Sequence, residues 1–288
     1  MNTSAHGQQA YYIPDPSPWP VIAMLSIFSI MVGTALAING VGIGRWVMVA
    51  GFLLLITMFY GWFGTVISES LSDCYNAQVD RTFRQAMAWF ISSEVFFFLC
   101  FFGALFYLRN IAMPWLGGEG YLAATHDLYN QFVAQWPSAG PKGEAFTPMG
   151  AWGRPAINTL ILLRSGVTVT VAHWGLKEGN RQKLIWGLVA TVTLGLLFVV
   201  LQAVEYRHAY HELNLTLKSG VYGSTFFMLT GFHGFHVTLG SIMLIAILGR
   251  AIRGHFSPHN HFAFEAVAWY WHFVDVVWLG LFIFVYWM

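Results

Sequence analysis

Apolar residues along the chain gather into seven runs: Val21–Ile38, Trp46–Ser68, Gln85–Leu108, Ala156–Leu176, Leu184–Val204, Val221–Gly249 and Ala263–Met288. A helix of ~20 apolar residues crosses a hydrocarbon core ~30 Å thick, so the pattern predicts seven transmembrane helices and an all-α fold. The first two runs form a hairpin, residues 21–68, turned by Asn39-Gly40-Val41-Gly42-Ile43-Gly44. A polar stretch, Glu69–Arg84, reads as a loop before the five remaining runs, residues 85–288. Residues 1–20 are polar and then punctuated by Pro14, Pro16, Pro18 and Pro20, which predicts an extended segment running into the first turn of a helix. Tyr11, Tyr12 and Trp19 suit the membrane interface. The one sizeable extramembrane piece, 109–155, is rich in Gly, Pro and aromatics, and Thr125–Trp136 predicts a short amphipathic helix on the surface.

Composition agrees. The 288 residues are 57% hydrophobic and 9% charged, against ~25% charged in a soluble domain, which makes this an integral membrane protein. A net charge of +1 removes nucleic acid from the partners. Cys74 and Cys100 match no disulfide or metal spacing. The chain opens without a basic start or an apolar core of the secretory kind, which fits a bacterial inner membrane, although an organelle-encoded chain reads similarly. Orientation follows from basic residues. With the N-terminus cytoplasmic, the inner loops hold Arg81, Arg84, Lys177, Arg181, Lys183, Arg250 and Arg253. The longer outer loops hold Arg45, Arg109, Lys142, Arg154, Arg207 and Lys218, and the denser charge marks the inside.

Polar groups inside the runs carry the candidate chemistry. In the seventh run Glu265, His272 and Asp275 fall within a sector of about 80° at ~100° per residue, so they share a helix face. A charge at mid-membrane costs about 2.5–3.5 kcal/mol, so that face should meet protein, water or a head group. Glu94 lies in the third run among Phe90, Phe96, Phe97 and Phe98. It reads either as a proton-exchanging, reactive carboxyl or as an acid bonded to a neighbouring helix. His233 and His236 stand one turn apart and read either as a hydrogen-bonded pair or as two metal ligands completed by Glu265 or His272. Thr230, Gly234 and Thr238 form a small-residue stripe that predicts close approach of a helix. His255, His259 and His261 read as loop residues facing water or phosphate. Arg164, deep in the fourth run, needs a carboxylate, a lipid phosphate or a route to the surface. Glu205 puts an acid at the edge of the fifth run. Arg250, Arg253 and His255, with Trp62, Phe63 and Glu69 at the same expected level, read as a phospholipid head-group site or as interfacial anchoring.

These residues carry a resemblance. The run Phe264-Glu265-Ala266-Val267-Ala268-Trp269-Tyr270-Trp271-His272-Phe273-Val274-Asp275-Val276-Val277-Trp278-Leu279 resembles the closing helix of subunit III of the haem–copper cytochrome c oxidases. Thr230-Gly231-Phe232-His233-Gly234-Phe235-His236-Val237 is similar to that family's sixth helix, and Ser93-Glu94-Val95 to its third. The resemblance implies two helices and then five, with a V-shaped cleft that holds structural phospholipid. It implies no haem, copper or other metal in this chain; those belong to partner subunits I and II, with cytochrome c as electron donor. The implied role is to stabilise subunit I, to support proton uptake and to help deliver oxygen. Glu94 matches the family's carbodiimide-reactive carboxyl, and Trp62, Phe63, Glu69, Arg250 and His255 fall where its members contact lipid head groups. Four features depart from the family: the second helix lacks charges before Glu69, Gly103 replaces an aromatic, Arg164 stands at an ordinarily small or aliphatic position, and the loop from Met113 to Pro155 departs most.

Two rival readings come from the residues alone. One is a stand-alone proton-coupled transporter using Glu94, Glu265, His272 and Asp275, though the repeats expected of a transporter are not seen. The other is a metalloenzyme built on His233 and His236, whose remaining ligands do not appear in the pattern. The reading carried forward is a non-catalytic oxidase subunit in which His233, His236, Glu265, His272 and Asp275 form a structural polar face.

Overall fold

Backbone amides and carbonyls in hydrocarbon have no water to bond, so each apolar run closes its own hydrogen bonds as a helix. In the computed structural model, which describes residues 12–72 and 74–288, seven helices are long and apolar enough to cross a membrane. Helix one is Trp19–Ile38, helix two Ile43–Leu71, helix three Ala77–Tyr107 and helix four Arg154–Lys177. Helix five is Arg181–Glu212, helix six Gly220–Ile252 and helix seven Phe262–Leu281. Helix seven continues through a wider turn, Phe282–Trp287. No strand occurs among the described residues. Tyr11 and the residues before it lie outside the described part of the chain.

The helices outrun the apolar runs that mark them. Most of Glu69–Arg84, expected as a loop, is helical: helix two runs to Leu71 and helix three starts at Ala77. The Asn76 side-chain oxygen accepts from the amides of Gln78 and Val79 (3.1 and 3.0 Å), which starts helix three well before its apolar part. Asn180 likewise accepts from the Lys183 amide (3.1 Å) at the start of helix five. The helix expected over Thr125–Trp136 does not form; only Ala123–Leu128 takes a short 3-10 turn. Its polar side chains turn to the preceding helical turn instead. Thr125 Oγ1 donates to the Trp115 carbonyl (3.0 Å), and His126 Nδ1 meets the Leu116 carbonyl at 2.9 Å.

The chain divides into two compact units at Gln85/Ala86. In the first, helices one and two meet through glycine. A Cβ on Gly33 or Gly44 would run into the backbone of the opposite helix, and one on Gly51 would strike Ile30. Such small positions let backbones approach where lipid offers no hydrophobic drive to association. Gly40, at φ +77°, supplies the left-handed turn between them.

In the second unit helix seven is the most enclosed span. Trp271 and Trp278 are its largest fully buried side chains. The Trp271 ring lies against Gly195 of helix five and Gly240 of helix six, where any Cβ would press on the indole. Its Nε1–H donates to Ser165 Oγ of helix four, and the Trp278 Nε1–H donates to Thr159 Oγ1, both at 2.9 Å. The expected stripe of Thr230, Gly234 and Thr238 does not mediate a close approach. Thr238 is exposed and the space beside Gly234 is open, while Thr230 is taken by the Tyr206 hydroxyl at 2.6 Å. Gly240, a turn and a half further along, does that work in helix six.

Candidate functional site

The three polar residues of helix seven all address helix four. Glu265 Oε1 lies 3.4 Å from His173 Nε2. About two turns on, His272 Nε2 lies 3.3 Å from Thr170 Oγ1. Next, Asp275 Oδ2 lies 3.5 Å from His272 Nδ1, beside the bare backbone of Gly166. Helix-four numbers fall as helix-seven numbers rise, so the two helices run antiparallel along this seam. Glu265 and Asp275 are buried, but the His272 side chain is 46% exposed. The expectation that all three point inward is therefore corrected for His272, which sits at the lip of the seam because Gly166 leaves room for Asp275 to fill its floor. Asp275 Oδ1 is buried and meets no donor.

Glu265 gathers a second histidine. His261 Nε2 lies 3.2 Å from Glu265 Oε1, and the ligating atoms of His173, His261 and Glu265 all lie within 4.8 Å of one another. His261 thus departs from the loop role expected of it. Two imidazoles and a carboxylate match the donor types that zinc takes; His261 Nε2 hydrogen-bonds the carboxylate, whereas the buried His173 Nε2 has no hydrogen-bond partner among the described residues. The expected alternative, in which Glu265 or His272 completes a set with His233 and His236, is not formed.

Those two histidines are held elsewhere. His233 is buried, with Nε2 3.2 Å from the Val274 carbonyl and its ring between Phe198 and Trp278. His236 Nδ1 lies 2.6 Å from the Phe232 carbonyl, which can only accept, so Nδ1 carries a proton. His236 Nε2 then meets Glu94 Oε2 at 2.9 Å across helices three and six. Either the carboxyl donates to the imidazole or the imidazolium donates to the carboxylate. The two forms have the same net charge, so one proton can shift within the pair without moving charge into or out of the membrane. Phe97, Phe98 and Tyr270 wall the pair, and the Glu94 side chain keeps 22% exposure. Glu94 is thus partnered yet reachable.

The residues expected to face lipid are distributed over both units. Trp62 and Phe63 are exposed. Glu69 is occupied: the Tyr75 hydroxyl donates to its Oε2 at 2.7 Å. Burial and then this carboxylate push the Tyr75 phenol up, which keeps it a donor. In the second unit the Arg250 guanidinium lies 4.7 Å from the centre of the Phe256 ring. Arg250 Nε and His255 Nδ1 are buried without hydrogen-bond partners among the described residues. Arg164 is exposed midway along helix four.

A sequence profile of the family described as cytochrome c oxidase subunit III matches residues 9–288. Relatives named cytochrome c oxidase subunit 3 are 42% identical over 284 residues in Cyprinus carpio, 41% over 291 in Latimeria chalumnae and 42% over 284 in Carassius auratus. Each match covers 98% of this chain and 98% of the relative. The chain belongs to the cytochrome c oxidase subunit III family. It is accordingly a multi-pass subunit of a respiratory oxidase and works in a complex with other oxidase subunits.

Within this subunit III, one buried network escaped the reading of the sequence. Glu205, expected at the membrane edge, is fully buried, and the Tyr286 hydroxyl donates to its Oε1 at 2.6 Å. Gln202 Nε2 donates to the same hydroxyl (3.4 Å), and Asn158 Nδ2 to Gln202 Oε1 (3.5 Å). The signal was present in part, since Gln202 and Glu205 stand three apart on one face. Their partner, 81 residues away, is invisible to any local pattern. The indole bonds of Trp271 and Trp278 were missed for the same reason.

Proposed function

We propose that this subunit III is a redox-silent support for the haem- and copper-bearing catalytic subunit. It holds phospholipid through Arg250 and His255 and presents Glu94 as a proton-exchanging carboxyl that supports proton uptake. Subunit I as the direct neighbour, subunit II beside it and cytochrome c as the donor follow from the family likeness, as does help with oxygen delivery. The host membrane is an energy-conserving inner membrane, bacterial or mitochondrial, with the N-terminus on the cytoplasmic or matrix side.

The observation that carries this reading is the Glu94–His236 pair. It is a carboxyl at mid-membrane that is neither sealed nor free, and it can hand a proton to the bare Nε2 of its histidine partner and take it back. The groups named for a transporter do not line one path, since Glu94 pairs with His236 while Glu265, His272 and Asp275 address helix four. Glu94→Gln in the intact oxidase should leave assembly unchanged and abolish carbodiimide labelling of this chain. Labelling that persists in the variant rejects Glu94 as the reactive group. Arg250→Ala should lower the phospholipid retained after mild detergent and shorten the enzyme's active lifetime; unchanged values for both count against the lipid role.

A further inference from the structure

The exposed face of helix four combines two features that lipid does not accommodate together. Leu160, Val167 and Trp174 are 57%, 63% and 55% exposed. At ~100° per residue they and Arg164 lie within a sector of about 80°, so they form one stripe. Arg164 stands ten residues beyond Arg154 in a helix of 24, ~15 Å along the axis and close to mid-span. It makes no ion pair or hydrogen bond among the described residues. The head groups are about as far off as the ~15 Å half-thickness of the hydrocarbon core. At the border of the stripe on the helix-seven side, His272 is half exposed at the lip of the polar seam, against Thr170.

The outward face of helix one is built differently. Helix one turns Met24, Ile27, Phe28 and Met31 outward and contains no charged residue from end to end. That composition suits acyl chains. Charged groups within membrane spans face protein or a water-filled cavity and are paired. An apolar stripe with a cation at its centre therefore fits another transmembrane helix, provided that helix brings an anion to the same depth.

We propose that this face of helix four is the seat of a transmembrane helix from another oxidase subunit, which places an aspartate or glutamate opposite Arg164. The proposal rests on the reading of the chain as an oxidase subunit and adds the surface, the register and the chemistry of the contact. Val167 and Leu160 give the partner helix its apolar bed, and the Arg164 guanidinium sets its depth by a bidentate pair with the carboxylate.

The test uses the intact oxidase in mild detergent. A photoreactive phenylalanine analogue in place of Val167 should cross-link the chain to another subunit. Labelling of lipid alone, or of a second copy of this chain, overturns the proposal. Arg164→Leu should speed release of the chain from the complex by at least about tenfold, as expected when one partner of a desolvated charge pair is removed, with Arg164→Lys in between. Release at the wild-type rate also overturns it. If Arg164→Leu does not fold, the Val167 cross-link in the otherwise natural chain decides. Failure of the unaltered chain to co-purify with any haem-bearing partner would instead strike the oxidase reading itself.

Discussion

The Trp271 indole depends on what its neighbours lack. Gly195 and Gly240 leave the space the ring occupies, and a side chain at either must displace it. Gly195→Val should therefore cost about 1–3 kcal/mol, the range for overpacking a filled core, read as a lowered thermal midpoint of the complex-bound chain. An unchanged midpoint would show that the ring has slack. Tyr286→Phe tests the other kind of buried contact. It leaves Glu205 Oε1 without the hydroxyl that donates to it, a loss of about 1–3 kcal/mol for a buried polar group left unsatisfied. The variant Glu205→Leu in the same background should recover part of that loss, because the orphaned acid is gone. At this scale the sequence was legible where chemistry repeats along one helix. Glu265, His272 and Asp275 were placed on one face by spacing alone, and the structure sets all three against helix four. Partners were not legible. His173 joins His261 and Glu265 from another helix, and His236 finds Glu94 142 residues away, relations that no periodicity encodes.

Helices were easy to find and hard to end. The hydrocarbon core demands apolar residues for its own thickness only, so hydropathy marks where a helix is in lipid and is blind to the turns beyond it. Helix five continues past its apolar run, which ends at Val204, to Glu212 and carries Glu205 on its buried face. Caps mark the true ends. Asn180→Ala removes the side-chain bond to the Lys183 amide and should cost about 1 kcal/mol. The loss should stay local: hydrogen exchange should quicken at the amides of Lys183 and its neighbours at the start of helix five, while helix seven stays protected. Faster exchange in helix seven as well would mean that the cap is coupled to the whole bundle. The same logic explains the failed helix at Thr125–Trp136. Its amphipathic spacing was real, but Thr125 and His126 reach back to the carbonyls of Trp115 and Leu116, and those bonds fix the backbone before a longer helix can propagate.

For the molecule as a whole, the packed core belongs to one unit. The contiguous cluster of buried apolar side chains runs from Phe98 to Tyr286, and the aromatic contacts around Trp278 and Phe198 lie entirely beyond Gln85. Helices one and two hold each other by their own glycine contacts and by the Trp19 indole, which donates to Thr65 Oγ1 at 3.1 Å. Each unit thus has internal packing of its own, and helix two ends at Leu71, shortly before the Asn76 cap that starts helix three. A chain beginning at Asn76 keeps that cap and every buried contact named for helices three to seven. In detergent it should unfold cooperatively, followed by the fluorescence of Trp271 and Trp278, since the buried cluster and both indole hydrogen bonds lie within it. Loss of the cooperative transition would show instead that helices one and two are part of what folds the other five.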